Sequence, residues 1–489
     1  MTWPFDFAPA PFGRLSPVAL AMCRVATGAV LLYEATLGMD PWTARAFLGD
    51  AGIWSRADQL GSSPRSMSIL LVLADDAAVR LVMCALALLG GAIAVGWQTR
   101  RACALALVLW LSILERAWPF CHAFDDMTAA LLLWGALGLP WDARHALSRR
   151  QAPETCIVEL GFLLHIGAAY FLAGINKTSP EWRDGTAVGI AMQTVHIKRR
   201  LADRLCASPA AALALRLIGR TVRAVELATP LAFLAPPVVR AVAVASLLAM
   251  HASIGATMRL NGIGLTNVAA VIAFLPLGGE AARGRRRGVA SDAMAIVVVA
   301  LLLGGTVGKE TWGEAALSRP MKMVATRLHL LQRYNVFSPR PPTQSWWVSM
   351  EGVTRQGDVV EALAALRSEA LVPPFAPPPL DLARRPPDGF AVDVLHDDRF
   401  AKFMENMITG WGHIEDAEER KRKREQQELL RLRLGQFTCR EWNGAYGGTP
   451  HELQTVDVKV FLQDNTDVCG RGERAGNVTS LTIWKHRCF

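Results

Sequence analysis

Long apolar stretches crowd the first 310 residues of this 489-residue sequence, and they constrain its fold more than any other feature. They run over Val18–Leu37, Val79–Trp97, Ala102–Trp118, Phe124–Pro140, Ile157–Ile175, Thr221–Ala235, Val238–Met258, Ile263–Leu277 and Ala293–Val307. A helix needs about 20 mostly apolar residues to cross the hydrocarbon core of a bilayer. Inside lipid, only helices and closed barrels satisfy every backbone polar group. Eight to ten spans are expected, nine on this reading, with several stretches short. Composition agrees: 52% of residues are hydrophobic and only 19% charged, where a soluble domain has about 25% charged. The expected fold is mainly α, a polytopic transmembrane bundle over residues 1–310. A smaller α+β extramembrane module is expected over 311–489. The composition excludes a disordered chain and argues against a nucleic-acid partner.

The net charge of +9 is unevenly spread. Residues 1–307 carry 27 Lys and Arg against 19 Asp and Glu, and residues 308–489 carry 25 against 24. Basic residues in short loops mark the cytoplasmic side. Arg100 and Arg101, then Arg144, Arg149 and Arg150, then Arg283, Arg285, Arg286 and Arg287 all fall on one side of a nine-span bundle. That side holds the N-terminus and leaves the tail extracytoplasmic. Lys198, Arg199, Arg200, Arg204, Arg216 and Arg220 count against this orientation; their segment reads as an amphipathic helix on the membrane surface. The first stretch contains Arg24 and Glu34 and lacks an A-x-A-like site, so it does not read as a cleavable signal peptide.

After Val307 the apolar pattern stops. Tyr334–Ser349 carries Pro339, Pro341 and Pro342 and then the paired Trp346 and Trp347. Val372–Pro387 is proline-rich and reads as an extended linker or surface loop. Arg399–Leu434 has helical periodicity, and its charge run from Glu418 to Arg424 reads as a solvated helix face. Val456–Leu462 alternates as a strand, with Thr479–Trp484 as its candidate partner. Of nine cysteines, three lie in the tail: Cys439, Cys469 and Cys488. One disulfide among them is compatible with an oxidising compartment, but the spacing leaves the pairing open. No pair has metal-ligand spacing, so no metal is expected.

Ionisable groups inside apolar spans are costly and usually face a bundle interior or cavity. Arg24, Asp125, Asp126, Lys177, Glu226 and His251 qualify. Arg24 and Glu34 are too far apart on one helix to touch, so each needs a partner from another span. Arg223 and Glu226, three residues apart, read as an ion pair. Asp125 and Asp126 suit a helix N-terminus. Tyr170 and Lys177 share one helix face with Gly174 between them, and the glycine leaves room for a ligand or another helix. Lys177 reads in two ways: snorkelling to the interface, or held partly out of water as a general base.

"LAMCRVATG" (20–28), "VGWQTR" (95–100), "YFLAGINKTSPEWRDGTA" (170–187), "VELATPLAF" (225–233) and "HASIGATMRLNGIGLTN" (251–267) follow one another in an order and spacing that resembles the HTTM family. That is the transmembrane domain of the vitamin K-dependent gamma-carboxylases and their bacterial relatives. The resemblance covers about residues 12–310 and extends more loosely through "YNVFSPRPP" to "FTCREWN". It implies a bacterial inner-membrane enzyme of the carboxy-lyase type. A reduced vitamin K-type quinone, menaquinol or similar, would be epoxidised with oxygen. Carbon dioxide would add to a peptide glutamate, the cofactor carrying the hard step. The family's base lysine falls on Lys177 and its catalytic-region histidine on His145, in "WDARHAL". Tyr170, Gly174, Trp182 and His251 are the implied cofactor neighbours. Where the carboxylases carry two adjacent lysines this chain has Asn176-Lys177, and its tail is shorter than their lumenal region.

Two functions follow from different premises. An enzyme oxidising a reduced quinone requires Lys177 inside a lipid-accessible cavity, with a peptide or protein substrate reaching it by way of the tail. The alternative is a non-catalytic membrane factor for peptide or toxin maturation or export, and it expects Lys177 among the lipid headgroups. A transporter is disfavoured, because the hydropathy shows no inverted repeat and no paired broken helices.

Overall fold

The computed structural model describes residues 15–63, 66–73, 75–116, 118–148, 157–260, 262–278, 289–307, 317–331, 334, 336–366, 371–378, 398–408, 417–465 and 478–489. Arg149, Arg150, Cys469, the basic run 283–287 and the proline-rich 379–387 lie outside them.

The helices are α1 (Pro17–Tyr33), α2 (Pro41–Leu48), α3 (Arg56–Ser62), α4 (Asp76–Val95), α5 (Thr99–Arg116), α6 (Ala123–Leu137), α7 (Ile157–Asn176), α8 (Pro180–Asp184), α9 (Ala187–Met192), α10 (Arg200–Ala207), α11 (Pro209–Leu234), α12 (Pro237–Thr257), α13 (Gly262–Ile272) and α14 (Val289–Leu302). All nine apolar stretches lie largely within helices. Among the described residues, five helices are long and apolar enough to cross a membrane, beginning at Pro17, Asp76, Ile157, Pro237 and Ala290. A sixth is the pair α10–α11 if its 106° bend is counted as one span. The expected nine are therefore not confirmed on length and composition among the described residues. At 1.5 Å per residue, the 15 residues of α6 and the 11 of α13 fall short of a bilayer core about 30 Å thick. The 18 residues of α5 include Arg100, Arg101, Glu115 and Arg116.

Local chemistry sets the ends of these helices. Ser16 caps α1 with Pro17 at its first position, and Asp75 caps α4 by accepting from the Ala78 N–H at 2.6 Å. Gly96, at φ 74°, ends α4 in the left-handed region, where glycine carries no side-chain penalty. Glycine also sets how closely helices cross. A Cβ at Gly28 would lie 2.5 Å from the Ala94 nitrogen, so α1 and α4 meet backbone to backbone.

One end of the bundle gathers the starts of α1, α5, α7 and α14. Leu15 donates to Glu159 there, and Arg100 to Ser291. Arg24 reaches the same end, donating to the His145 carbonyl at 2.5 Å. The tail covers the opposite end. Its elements are α15 (Arg319–Arg327), β1 (Gln344–Thr354), β2 (Val359–Glu361), α16 (Ala362–Leu366), α17 (Asp398–Ile408), α18 (Ala417–Tyr446), β3 (Leu453–Asp464) and β4 (Val478–Arg487). They form an antiparallel sheet of order β2-β1-β3-β4 with helices against it. The expected strand pair is present: Val458 faces Trp484 and Leu462 faces Thr479. The charge run 418–424 lies on α18, mostly exposed. Cys439 and Cys488 form a disulfide.

The tail is knit into the bundle. One hydrophobic cluster runs from Leu15 to Phe461. Arg399 of α17, 2% exposed, reaches Glu34 at 2.7 Å and Asp125 at 2.9 Å. Its guanidinium is ringed by Trp110, Phe120 and Phe124. Glu34 thus takes its partner from the tail, where another span was expected. Asp125 also caps α6 as foreseen, accepting from the His122 N–H at 2.6 Å. Asp126 instead accepts from His329 at 2.7 Å.

Candidate functional site

The site forms where α7 ends. Its apolar sequence stays helical to Asn176, and Pro180, at the first position of α8, turns the chain away. Lys177 falls in that turn, and its side chain folds back into the protein. It is 4% exposed. Its Nζ donates to the Ala173 carbonyl at 3.2 Å and to Glu226 Oε1 at 2.9 Å, with Oε2 at 2.8 Å. The Trp182 ring lies below it, 5.1 Å from the ammonium to the ring centroid. The snorkelling position expected of a headgroup-facing lysine is not the one observed.

Glu226 belongs to α11, so the ion pair bridges two helices. The Arg223–Glu226 pair expected from spacing is replaced by this one. A buried carboxylate gains more from a buried ammonium than from a neighbour that can turn toward solvent. Arg223 is half-buried, and its Nε finds no hydrogen-bond partner among the described residues. Glycine makes the bridge possible. A Cβ on Gly174 would stand 3.1 Å from the Leu227 nitrogen and 3.2 Å from the Glu226 Cβ. The room beside Gly174 therefore holds α11, the second of the two occupants its position allows.

Two turns inward, Tyr170 Oη lies 2.7 Å from His251 Nε2 of α12. Both residues are buried, and His251 Nδ1 has no hydrogen-bond partner among the described residues. The tail closes the other side: the Trp182 indole donates to the Phe337 carbonyl at 3.0 Å, and the Ser179 N–H to the Pro339 carbonyl at 3.3 Å. The four residues thus form two contact pairs, Lys177 with Trp182 and Tyr170 with His251, two turns apart along α7. His145 stands apart. It is exposed after α6, with φ 51°, at the end where α7 begins. The 20 residues of α7 put about 30 Å between that end and Lys177.

The site has unmet hydrogen-bonding capacity. His251 Nδ1, Arg223 Nε, Ser179 Oγ, Glu181 Oε2 and Ser338 Oγ are buried atoms without a partner among the described residues. Ser179 and Glu181 flank the Lys177–Trp182 turn, Arg223 lies one turn before Glu226, and Ser338 is in the 337–339 strap; buried polar atoms are normally satisfied. Among the described residues, no group of three or more His, Cys, Asp or Glu is arranged to hold a metal ion.

Sequence reasoning missed two participants. Glu226 was visible as an intramembrane acid, but its partner lay 49 positions away. The 337–339 strap left only a proline signal. Comparison with protein-family models, curated proteins and solved structures gives no match.

Proposed function

We propose that the protein is an integral membrane enzyme that takes a proton from a reduced vitamin K-type quinone, with Lys177 as the base. In its narrower form the reaction carboxylates a peptide glutamate presented from the tail side. The observation that carries this reading is the buried Lys177–Glu226 pair beside the unmet polar atoms of His251, Ser179 and Ser338. A reduced quinone is a flat ring with a hydroxyl at each end, so aromatic and hydrogen-bonding side chains are the chemistry it would need. Trp182 offers an aromatic face, and His251 Nδ1 and the serine hydroxyls offer hydrogen bonds. When bound, the reduced quinone would supply the oxidisable ring, with oxygen and carbon dioxide as co-substrates.

The chain's own residues have separable tasks. A lysine accepts a proton only with its lone pair free, so Lys177 must first hand its own proton to Glu226, 2.9 Å away. Trp182 and Gly174 set the ammonium's position, the first by its ring and the second by admitting α11. The Phe337–Pro339 strap limits the access of water, which would otherwise weaken the electrostatics of the pair.

The test uses the purified full chain with reduced vitamin K and oxygen. Epoxide should form, and Lys177→Arg should abolish it while keeping the fold. Arginine can still pair with Glu226 but does not act as a base at neutral pH. Epoxide no higher in the wild type than in Lys177→Arg would overturn the proposal. A second reading, a non-catalytic membrane factor, draws on the same ion pair, which can serve only to clamp α7 to α11. It expects no epoxide and a Lys177→Arg protein that retains its partner.

A further inference from the structure

Positive charge gathers at the surface where α12 ends. Lys198, Arg199, Arg200 and Arg204 lie between α9 and the middle of α10, and Arg259 follows α12. Backbone bonds pin the two segments together. The Arg199 N–H donates to the Thr257 carbonyl at 2.9 Å, and the Arg259 N–H to the Ile197 carbonyl at 2.6 Å. α10 turns Ala202 and Cys206 inward, into a hydrophobic cluster with Met192 and Met258. Its outer face therefore presents Arg200 and Arg204, one turn apart and both exposed. Lys198 is engaged by Asp203 at 3.0 Å. No carboxylate pairs with Arg199, Arg200 or Arg204 among the described residues.

Length places this cluster at the depth of lipid headgroups. The 21 residues of α12 run about 30 Å, the thickness of a bilayer core, so Thr257 and the arginines beside it stand at the core's edge. α11 leaves the same corner at 106° to α10, with Pro209 at its first position. On α11, Leu213 and Leu217, one turn apart, are 62% and 55% exposed. Open cations beside open leucines match the two parts of a phospholipid, since guanidinium N–H groups pair with phosphate oxygens and leucines with acyl chains. We propose that the α10–α11 elbow binds anionic phospholipid of the surrounding bilayer, with the phosphate on Arg200 and Arg204 and Arg199 beside them. The site is an open surface, so the headgroup requires no cavity. The leucines favour a lipid over a free anion, which would make no use of them.

The full chain in uncharged detergent is titrated with phosphatidylglycerol, with phosphatidylcholine and with inorganic phosphate at equal ionic strength. The thermal unfolding midpoint and the lipid retained in native mass spectrometry are the readouts. Phosphatidylglycerol should raise the midpoint saturably and stay bound, and the other two should not. Arg200→Gln with Arg204→Gln should weaken its binding roughly 25-fold, at about fivefold for each cation lost. Arg200→Lys with Arg204→Lys keeps the charge and should recover most of that loss, which a misfolded variant would not do. Lys485→Gln with Arg487→Gln removes equal charge from exposed positions on β4 and should bind like the wild type. The proposal is overturned if phosphatidylcholine or inorganic phosphate matches phosphatidylglycerol. It is equally overturned if the glutamine pair on α10 binds like the wild type, or loses no more than the pair on β4.

Discussion

Replacing Lys177 with Met would strand the Glu226 carboxylate inside the bundle. Removing one member of a buried ion pair typically costs about 3–5 kcal/mol, and Glu226→Leu should cost a similar amount. The double variant, Lys177→Met with Glu226→Leu, should lose much less than the sum, because neither charge is then left alone. A denaturation cycle in detergent reads this directly, and additive losses would mean that the pair does not couple α7 to α11. Gly96 is the second test at this scale. An alanine there would be strained at φ 74°, and its Cβ would overlap the Arg24 guanidinium. A loss of roughly 1–3 kcal/mol is expected, whereas Gly255→Ala, in open space on α12, should gain up to about 1 kcal/mol. Residue pairing was the least legible level in the sequence. Local spacing suggested Arg223 for Glu226 because i,i+3 geometry is all that a single helix reveals. The observed partner depends on where another helix crosses, and Gly174 gave only half of that information.

At the scale of elements, apolar runs and strand alternation were readable because each follows a period fixed by backbone geometry. The stretches from Val18 to Val307 lie mostly in helices, and the Val456–Leu462 strand pairs as expected with Thr479–Trp484. The span count was not legible, since length and end charges decide whether a buried helix such as α6 also crosses the membrane. Helix crossings make a sharp prediction. Gly28→Val should separate α1 from α4, because its side chain would enter space held by the Ala94 nitrogen and the Gly90 carbonyl. Gly174→Leu should do the same for α7 and α11. Both should lower the unfolding midpoint, but only Gly174→Leu should also move the tryptophan fluorescence of the Trp182 neighbourhood. Equal spectra for the two variants would count against a specific α7–α11 crossing.

At the scale of the whole molecule, the seam between bundle and tail carries a pH dependence. His196, after α9, stacks on Trp346 of β1 with ring centroids 4.6 Å apart. Burial pushes its imidazole down to about 4; Glu405 opposes the shift and Lys402 adds to it. An unfolded histidine binds its proton near pH 6.5, so between there and pH 4 the unfolded state takes up more protons than the folded one. Stability from this group is therefore complete above pH 6.5 and is lost as pH falls toward 4. Thermal melts from pH 7.5 to 4.5 should show the decline, and His196→Phe should flatten it. The disulfide is the second whole-molecule handle. Cys439 and Cys488 close a loop of 49 residues, and its reduction should destabilise the tail by about 2–4 kcal/mol, visible as a lower midpoint under reductant. No sequence signal announced Arg399. It was one arginine at the head of a periodic helix, and only the packing of α17 against the bundle end makes it the counter-ion of two acids.

That counter-ion arrives late. Glu34 and Asp125 precede Arg399 by 365 and 274 residues, and a chain is made from its N-terminus. Through most of synthesis the bundle therefore carries two carboxylates without the cation that later neutralises them. Arrival of α17 then supplies that cation and buries all three groups together. A ribosome stalled before residue 399 would hold a chain in which Glu34 and Asp125 still lack that partner, so the order of synthesis sets when this end of the bundle closes.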